Sequence, residues 1–204
     1  MHSKTSCLFL DIGGVLLSDG WGHGPRQHAA HRFDIDFVKM EEMHSLLFPL
    51  YEIGKISLDD YLEQVVFSEP RNFEKLEFKN FMFAQSFQLP EMYEWVVEWK
   101  RQHPLVRIAA VNNEGKELND YRIRKFHLHA CFDAFISSCD VGLRKLDPEI
   151  FRLALAVMHV DPESCLYFDD RKVLADAARN TGLRAYHHLG LQTTKDIIEQ
   201  AGIF

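Results

Sequence analysis

The segment LYFDDRKVLADAARNTGLRAYHH, residues 166–188, reads as strand, helix, strand. Leu166–Phe168 is an apolar run that stops at two consecutive acids, Asp169 and Asp170. Residues from Val173 to Thr181 have helical character, Gly182 suits a helix stop, and Arg184 to His187 is again of strand length. Strands joined through one helix are parallel neighbours in a sheet. Working outward, the candidate strands are Ser6 to Asp11, Val106 to Val111, Ala134 to Ser138, Ser164 to Phe168 and Arg184 to His187. Helix-length segments fall between and after them: Lys116 to Phe126, Pro148 to Met158 and Thr194 to Ala201. Pro148 suits a first helical turn, where its missing N–H costs nothing. The pattern predicts an α/β chain with a parallel sheet and helices on both faces.

The block from Leu17 to Leu89 behaves differently, being dense in Phe, Leu, Met, Glu and Lys at helical spacing without strand alternation. It is expected to be a small all-helical insert after the first strand. The expected organisation is therefore a core of residues 1–16 and 90–204 with an insert over 17–89. Within the insert, Ser57 is an N-cap candidate for a helix from Leu58 to Phe67, with Asp59 and Asp60 in its first turn. Glu91 to Arg101 reads as the helix that returns the chain to the sheet.

A chain of 204 residues with 47% hydrophobic content can bury one full α/β core and a small module. Its net charge of -7 and lack of a basic stripe argue against a nucleic-acid partner. Asp11 interrupts the apolar start, so a secretory leader is not expected there, and no run has the length of a membrane span. Cys7, Cys131, Cys139 and Cys165 lack metal-ligand or redox-pair spacing and read as reduced structural thiols, with the cytoplasm as the expected compartment. Oligomeric state leaves no readable mark.

In an open parallel sheet, ligands bind at the carboxyl ends of the strands. Those ends here carry Asp11 with Gly13 and Gly14, Asn112 with Asn113, Ser137 and Ser138 followed by Lys145, and Asp169 with Asp170. Three carboxylates converging on one crevice repel unless a cation joins them, and oxygen ligands on strand ends suit magnesium. Lys145 would then neutralise a phosphoryl oxygen or the nucleophile.

The stretches FLDIGGVL (9–16), GLRKLDPEIF (142–151) and residues 166–188 resemble the first, third and fourth motifs of haloacid dehalogenase-like hydrolases, in that order. The resemblance implies a Rossmann-like core with a helical cap inserted after the first strand. It implies magnesium and a small phosphorylated substrate cleaved through an aspartyl-phosphate. By the same resemblance Asp11 is nucleophile and metal ligand, Lys145 the motif-three lysine, Asp170 a direct metal ligand and Asp169 a ligand through water. The backbone carbonyl of Gly13 would complete the protein's share.

Three positions depart from that pattern. Gly13 stands where phosphatases of the family place a second Asp as general acid, and His23 in the loop SDGWGHG is one candidate replacement. Val111 stands where the second motif has Ser or Thr, so the phosphate would rest on Asn112, Asn113 or the backbone at the start of the Lys116 helix, beside Gly13 and Gly14. Leu174 replaces a polar residue. The departures leave two further readings: carbon–halogen hydrolysis without metal, and a non-catalytic ligand-binding or regulatory protein. His28 and His31 read as surface residues, and Phe81, Phe83 and Phe87 as core.

Overall fold

The computed structural model describes residues 5–202. Strand β1 (Cys7–Leu10) is followed by four helices, α1 (His23–Arg32), α2 (Phe37–Glu52), α3 (Leu58–Val65) and α4 (Lys75–Ala84). Helix α5 (Pro90–Gln102) then leads to β2 (Arg107–Asn112), α6 (Lys116–Lys125), β3 (Ala134–Ser137) and the short α7 (Ser138–Val141). The chain closes with α8 (Pro148–Met158), β4 (Cys165–Asp169), α9 (Lys172–Arg179), β5 (Arg184–His187) and α10 (Leu191–Ala201).

All strands pair in parallel in the order β3-β2-β1-β4-β5. The chain steps from β1 out to β3 on one side, then returns to build β4 and β5 on the other. β1 is therefore central, at the point where strand order reverses and a crevice opens beyond the strand ends. Burial on both faces explains its apolar sequence. Leu8 and Leu10 face one cluster with Met92, Val96 and Trp99 of α5 and Ile198 of α10. Cys7 and Phe9 face the other, with Ile150, Phe151 and Ala154 of α8 and Ala178 of α9. Burying one such large apolar side chain contributes about 1.5–3 kcal/mol, so these two layers fix the strands whose ends carry the site.

The helices between β1 and α5 have a third apolar cluster of their own, built on Trp21, Phe33, Met40, Tyr61 and Phe78 and reaching Leu118 of α6. Ser57 forms a reciprocal capping box with Asp60 at the start of α3. The third strand is one residue shorter than expected. Ser138 leaves it because its hydroxyl donates to the Glu52 carbonyl at 2.6 Å and accepts from the Glu114 N–H at 3.0 Å. All four cysteines are free thiols. Among the described residues no helix is long and apolar enough to cross a membrane.

Candidate active site

Asp11 lies one residue beyond β1, where its N–H still bonds the Phe168 carbonyl of β4 at 2.9 Å. Its side chain is buried, and Oδ1 accepts from the Ile12 N–H at 2.8 Å. The chain then turns sharply, with the Leu16 and Leu17 N–H groups both returning to the Ile12 carbonyl, at 3.0 and 2.9 Å. Gly14 makes the turn possible, since its φ is +69° and a Cβ there would lie 2.2 Å from Asp170 Oδ2. Gly14→Ala is expected to cost about 1–3 kcal/mol of stability through backbone strain alone and to weaken magnesium binding by displacing Asp170. Chemical denaturation and calorimetric titration check the two effects separately.

Lys145 is 1% exposed, and its Nζ lies 2.7 Å from Asp11 Oδ2 and 2.8 Å from Asp169 Oδ2. Its backbone N–H donates to Asn113 Oδ1 at 2.9 Å, so Asn113 seats the lysine loop. Asp169 is wholly buried and fully engaged: Oδ2 also accepts from the Tyr167 hydroxyl, and Oδ1 accepts from the Arg171 N–H at 2.8 Å. Asp170 is different. Its backbone carbonyl pairs with His187 Nε2 at 2.9 Å, while its carboxylate has no hydrogen bond or ion pair among the described residues. The α9 N-cap is Arg171, without a side-chain cap bond, so Asp170 is not consumed as a helix cap.

One ligand oxygen from each of Asp11, Asp169 and Asp170 falls within 4.8 Å of the others, against a single lysine. Burial, then repulsion from Asp169 and Asp170, pushes the Asp11 carboxyl up to about 7 against the pull of Lys145. Burial opposes the charge of Lys145, but Asp11 and Asp169 outweigh it and hold the ammonium above its usual range. A cluster that retains a proton near neutrality and keeps one carboxylate unspent fits a hard divalent cation with oxygen ligands.

Asp11, Lys145 and Asp170 open into a cavity of about 540 Å³ whose remaining lining comes largely from residues between β1 and α5. Helix α2 contributes His44, Phe48 and Glu52, a stripe at i, i+4, i+8. The Trp21 indole N–H donates to the Tyr61 oxygen at 3.1 Å, and that hydroxyl lies 2.8 Å from His44 Nδ1. Indole only donates, and among the described residues the Tyr61 proton has no other acceptor than Nδ1, which places the imidazole's own proton on Nε2. Burial and Arg26 press His44 down to about 4, consistent with a neutral ring. Glu52, by contrast, is pushed up to about 7 by burial despite Arg144, whose Nε lies 2.7 Å from its Oε2.

Two expectations about the site need correction, and outside it Phe87, expected in the core, is 60% exposed. Val111 turns away from the crevice into the apolar layer with Phe9 and Ile136, and the residue facing the cavity is Asn112. Asn112 is held in a closed triangle: its Nδ2 donates to Asn119 at 3.0 Å, its Oδ1 accepts from Ser137 at 2.8 Å, and Asn119 donates to Ser137 at 3.1 Å. A primary amide has two N–H donors, so one remains for a ligand. The start of the Lys116 helix is not an open anion site either. The Gly115 N–H donates to the Glu114 carboxylate at 3.1 Å, and a Cβ on Gly115 would strike the Tyr51 ring at 1.9 Å. Leu174 lines the cavity as an apolar wall.

Sequence reasoning did not find Tyr167, although residues two apart on a strand share a face and Asp169 was already singled out. It also missed the buried pair of Glu114 and Arg122, 2.7 Å apart, whose Nη2 donates to the Ser18 carbonyl at 2.5 Å.

The sequence model described as haloacid dehalogenase-like hydrolase matches residues 6–182, spanning β1 through α9 and so every strand end just described. The chain belongs to the haloacid dehalogenase-like hydrolases. This hydrolase is 37% identical over 59 residues to a phosphatase from Mycobacterium tuberculosis, covering 29% of this chain and 27% of that one. It is 30% identical over 84 residues to a phosphorylated carbohydrates phosphatase from Thermotoga maritima, covering 40% of this chain and 39% of that one. The chain thus spans well under half the length of these curated relatives. A HAD family enzyme from Bacteroides thetaiotaomicron shares its fold across 96% of this chain and 99% of that one, with a TM-score of 0.79 at 14% identity. The same enzyme in complex with magnesium and inorganic phosphate gives a TM-score of 0.74 at 15% identity over 90% of this chain and 93% of its own.

Proposed function

We propose that this haloacid dehalogenase-like hydrolase is a magnesium-dependent phosphatase that cleaves a small phosphorylated metabolite through an aspartyl-phosphate on Asp11. The observation that carries the reading is the buried Asp11 carboxylate, paired with Lys145 and sharing a crevice with Asp169 and Asp170. Both curated relatives are named as phosphatases, and one fold neighbour was solved with magnesium and phosphate.

The Ile12 N–H and Lys145 hold the Asp11 carboxylate at the cavity floor, so the nucleophile is positioned before substrate arrives. An Asp11 oxygen attacks phosphorus in line, and water then hydrolyses the aspartyl-phosphate. Lys145 and the remaining Asn112 N–H balance charge on the phosphoryl oxygens, where phosphoryl transfer needs positioning and electrostatics most. Asp11, the Gly13 carbonyl and Asp170 would hold magnesium, with Asp169 acting through water, and the cation would supply further neutralisation of the phosphoryl oxygens. In this reading residues 17–89 act as a cap on the core of residues 1–16 and 90–204, and the α2 stripe faces the leaving group.

A panel of phosphorylated metabolites assayed with magnesium and with EDTA tests the proposal. Magnesium-dependent phosphate release supports it. No release from any member, or halide release from a 2-haloacid in EDTA, would sink it.

A linked expectation concerns pH. The folded metal-free protein keeps a proton on Asp11 that the unfolded chain loses, so stability falls as pH rises from about 4 to about 7. Magnesium must displace that proton. Its apparent affinity should rise by up to about tenfold per pH unit below 7 and level off above. Thermal midpoints with and without magnesium at pH 5.5 and 8 read both trends, and equal magnesium shifts at the two would contradict them.

A further inference from the structure

Gly13 leaves the first motif without a carboxyl group, and the structure brings the backbone of another acidic residue beside the gap. A Cβ on Gly13 would lie 3.9 Å from the Asp19 Cα, and Asp19 lines the same cavity as Asp11 and Asp170. The residues flanking Asp19 are firmly anchored. Ser18 N–H bonds the Phe87 carbonyl at 2.8 Å, and its hydroxyl donates to the Gln85 carbonyl at 3.0 Å and accepts from the Phe87 N–H at 3.1 Å. Its carbonyl takes the Arg122 guanidinium, which the buried Glu114 holds in turn. Gly20, at φ +63°, presses so close that a Cβ would lie 2.9 Å from Arg122 Nη1.

Gly22 completes the setting, because a Cβ there would lie 1.9 Å from Asp19 Oδ2. Glycine alone leaves that carboxylate its room. Yet the carboxylate itself has no hydrogen bond or ion pair among the described residues. A rigid turn thus presents an unspent acid into the cavity, which is how a working group is held rather than a structural one. His23, the first residue of α1, lines the same cavity but packs edge-on against Phe37 with ring centroids 5.4 Å apart.

We infer that Asp19 is the general acid and base of this site, standing in for the side chain that Gly13 lacks. The assignment rests on the phosphatase reading. As an Asp11 oxygen bonds to phosphorus, the bond from phosphorus to the leaving oxygen breaks, and that oxygen's electron pair takes the proton of the Asp19 carboxyl. The resulting carboxylate then takes a proton from water as the water oxygen bonds to phosphorus. The Asp11–phosphorus bond breaks, Asp11 returns as carboxylate, and inorganic phosphate leaves.

The test compares wild type, Asp19→Asn and the double variant Asp19→Asn with Gly13→Asp, each with magnesium, on a primary alkyl phosphate and on p-nitrophenyl phosphate. Asp19 is exposed, so the substitution leaves the fold standing. kcat/KM for the alkyl ester should fall by about 10² to 10⁴ in Asp19→Asn. For the nitrophenyl ester, whose leaving group needs no proton, it should fall less than about tenfold. The double variant should recover the alkyl ester by at least about tenfold, the new carboxyl replacing the lost one. Equal losses on both esters, or an unaffected alkyl ester, would overturn the assignment while leaving the phosphatase reading intact. A wild-type protein inert on both esters would overturn the phosphatase reading and the assignment with it.

Discussion

Asp11→Asn is expected to lower magnesium-dependent phosphate release by at least about 10³-fold, because an amide cannot form the aspartyl-phosphate and weakens the cation site at once. The substitution keeps the shape of the side chain and can still accept from the Ile12 N–H, so the protein should fold. It also removes one of three mutually repelling carboxylates. Its metal-free form should therefore be no less stable than wild type near pH 8, where the buried Asp11 carboxyl is otherwise forced to ionise. A variant that loses activity and holds its thermal midpoint shows that the Asp11 carboxylate serves turnover rather than folding. Wild-type turnover by Asp11→Asn would refute the mechanism.

Lys145→Ala should damage both stability and chemistry. Removing the cation strands Asp11 and Asp169 in a buried site, and breaking a buried pair from one side costs about 3–5 kcal/mol. Loss of one preorganised electrostatic group costs a further factor of about 10² to 10³ in kcat. Magnesium should recover much of the stability, since it replaces the missing positive charge, but not the rate. Lys145→Arg should not rescue either property, because a planar fork does not fit where a compact ammonium bridges two carboxylates at 2.7 and 2.8 Å. Urea unfolding with and without magnesium, beside steady-state kinetics, separates these effects.

The sheet and the acids at its strand ends were legible in the sequence because parallel strands are apolar along their length and end abruptly in polar residues. Asp11, Lys145, Asp169 and Asp170 come together as that logic requires. The same property hid the facing of β2. With Ile108 to Val111 buried on both faces, the sequence carries no alternation to say which residue faces the crevice, and a shift of one residue exchanges Val111 for Asn112. Tyr167 looked like one more core aromatic. The Arg122 contact to Ser18 joins residues 104 apart and the Tyr51 ring over Gly115 joins two segments, so neither leaves a local pattern to read. Asp19 was present in a loop already marked for attention, but its nearness to Gly13 and its unpartnered carboxylate exist only in the fold.

The stripe of His44, Phe48 and Glu52 has an evolutionary consequence. In the proposed reaction the working groups sit at the ends of β1, β2 and β4 and on the Lys145 loop, whereas part of the opposite wall is encoded in a few turns of one helix, on a separate stretch of chain with its own apolar cluster. Substitutions at three helical positions can reshape what enters the cavity without altering Asp11, Lys145, Asp169 or Asp170 themselves. A lineage built this way can diversify its ligands by drift along α2 while its reaction stays under constant selection.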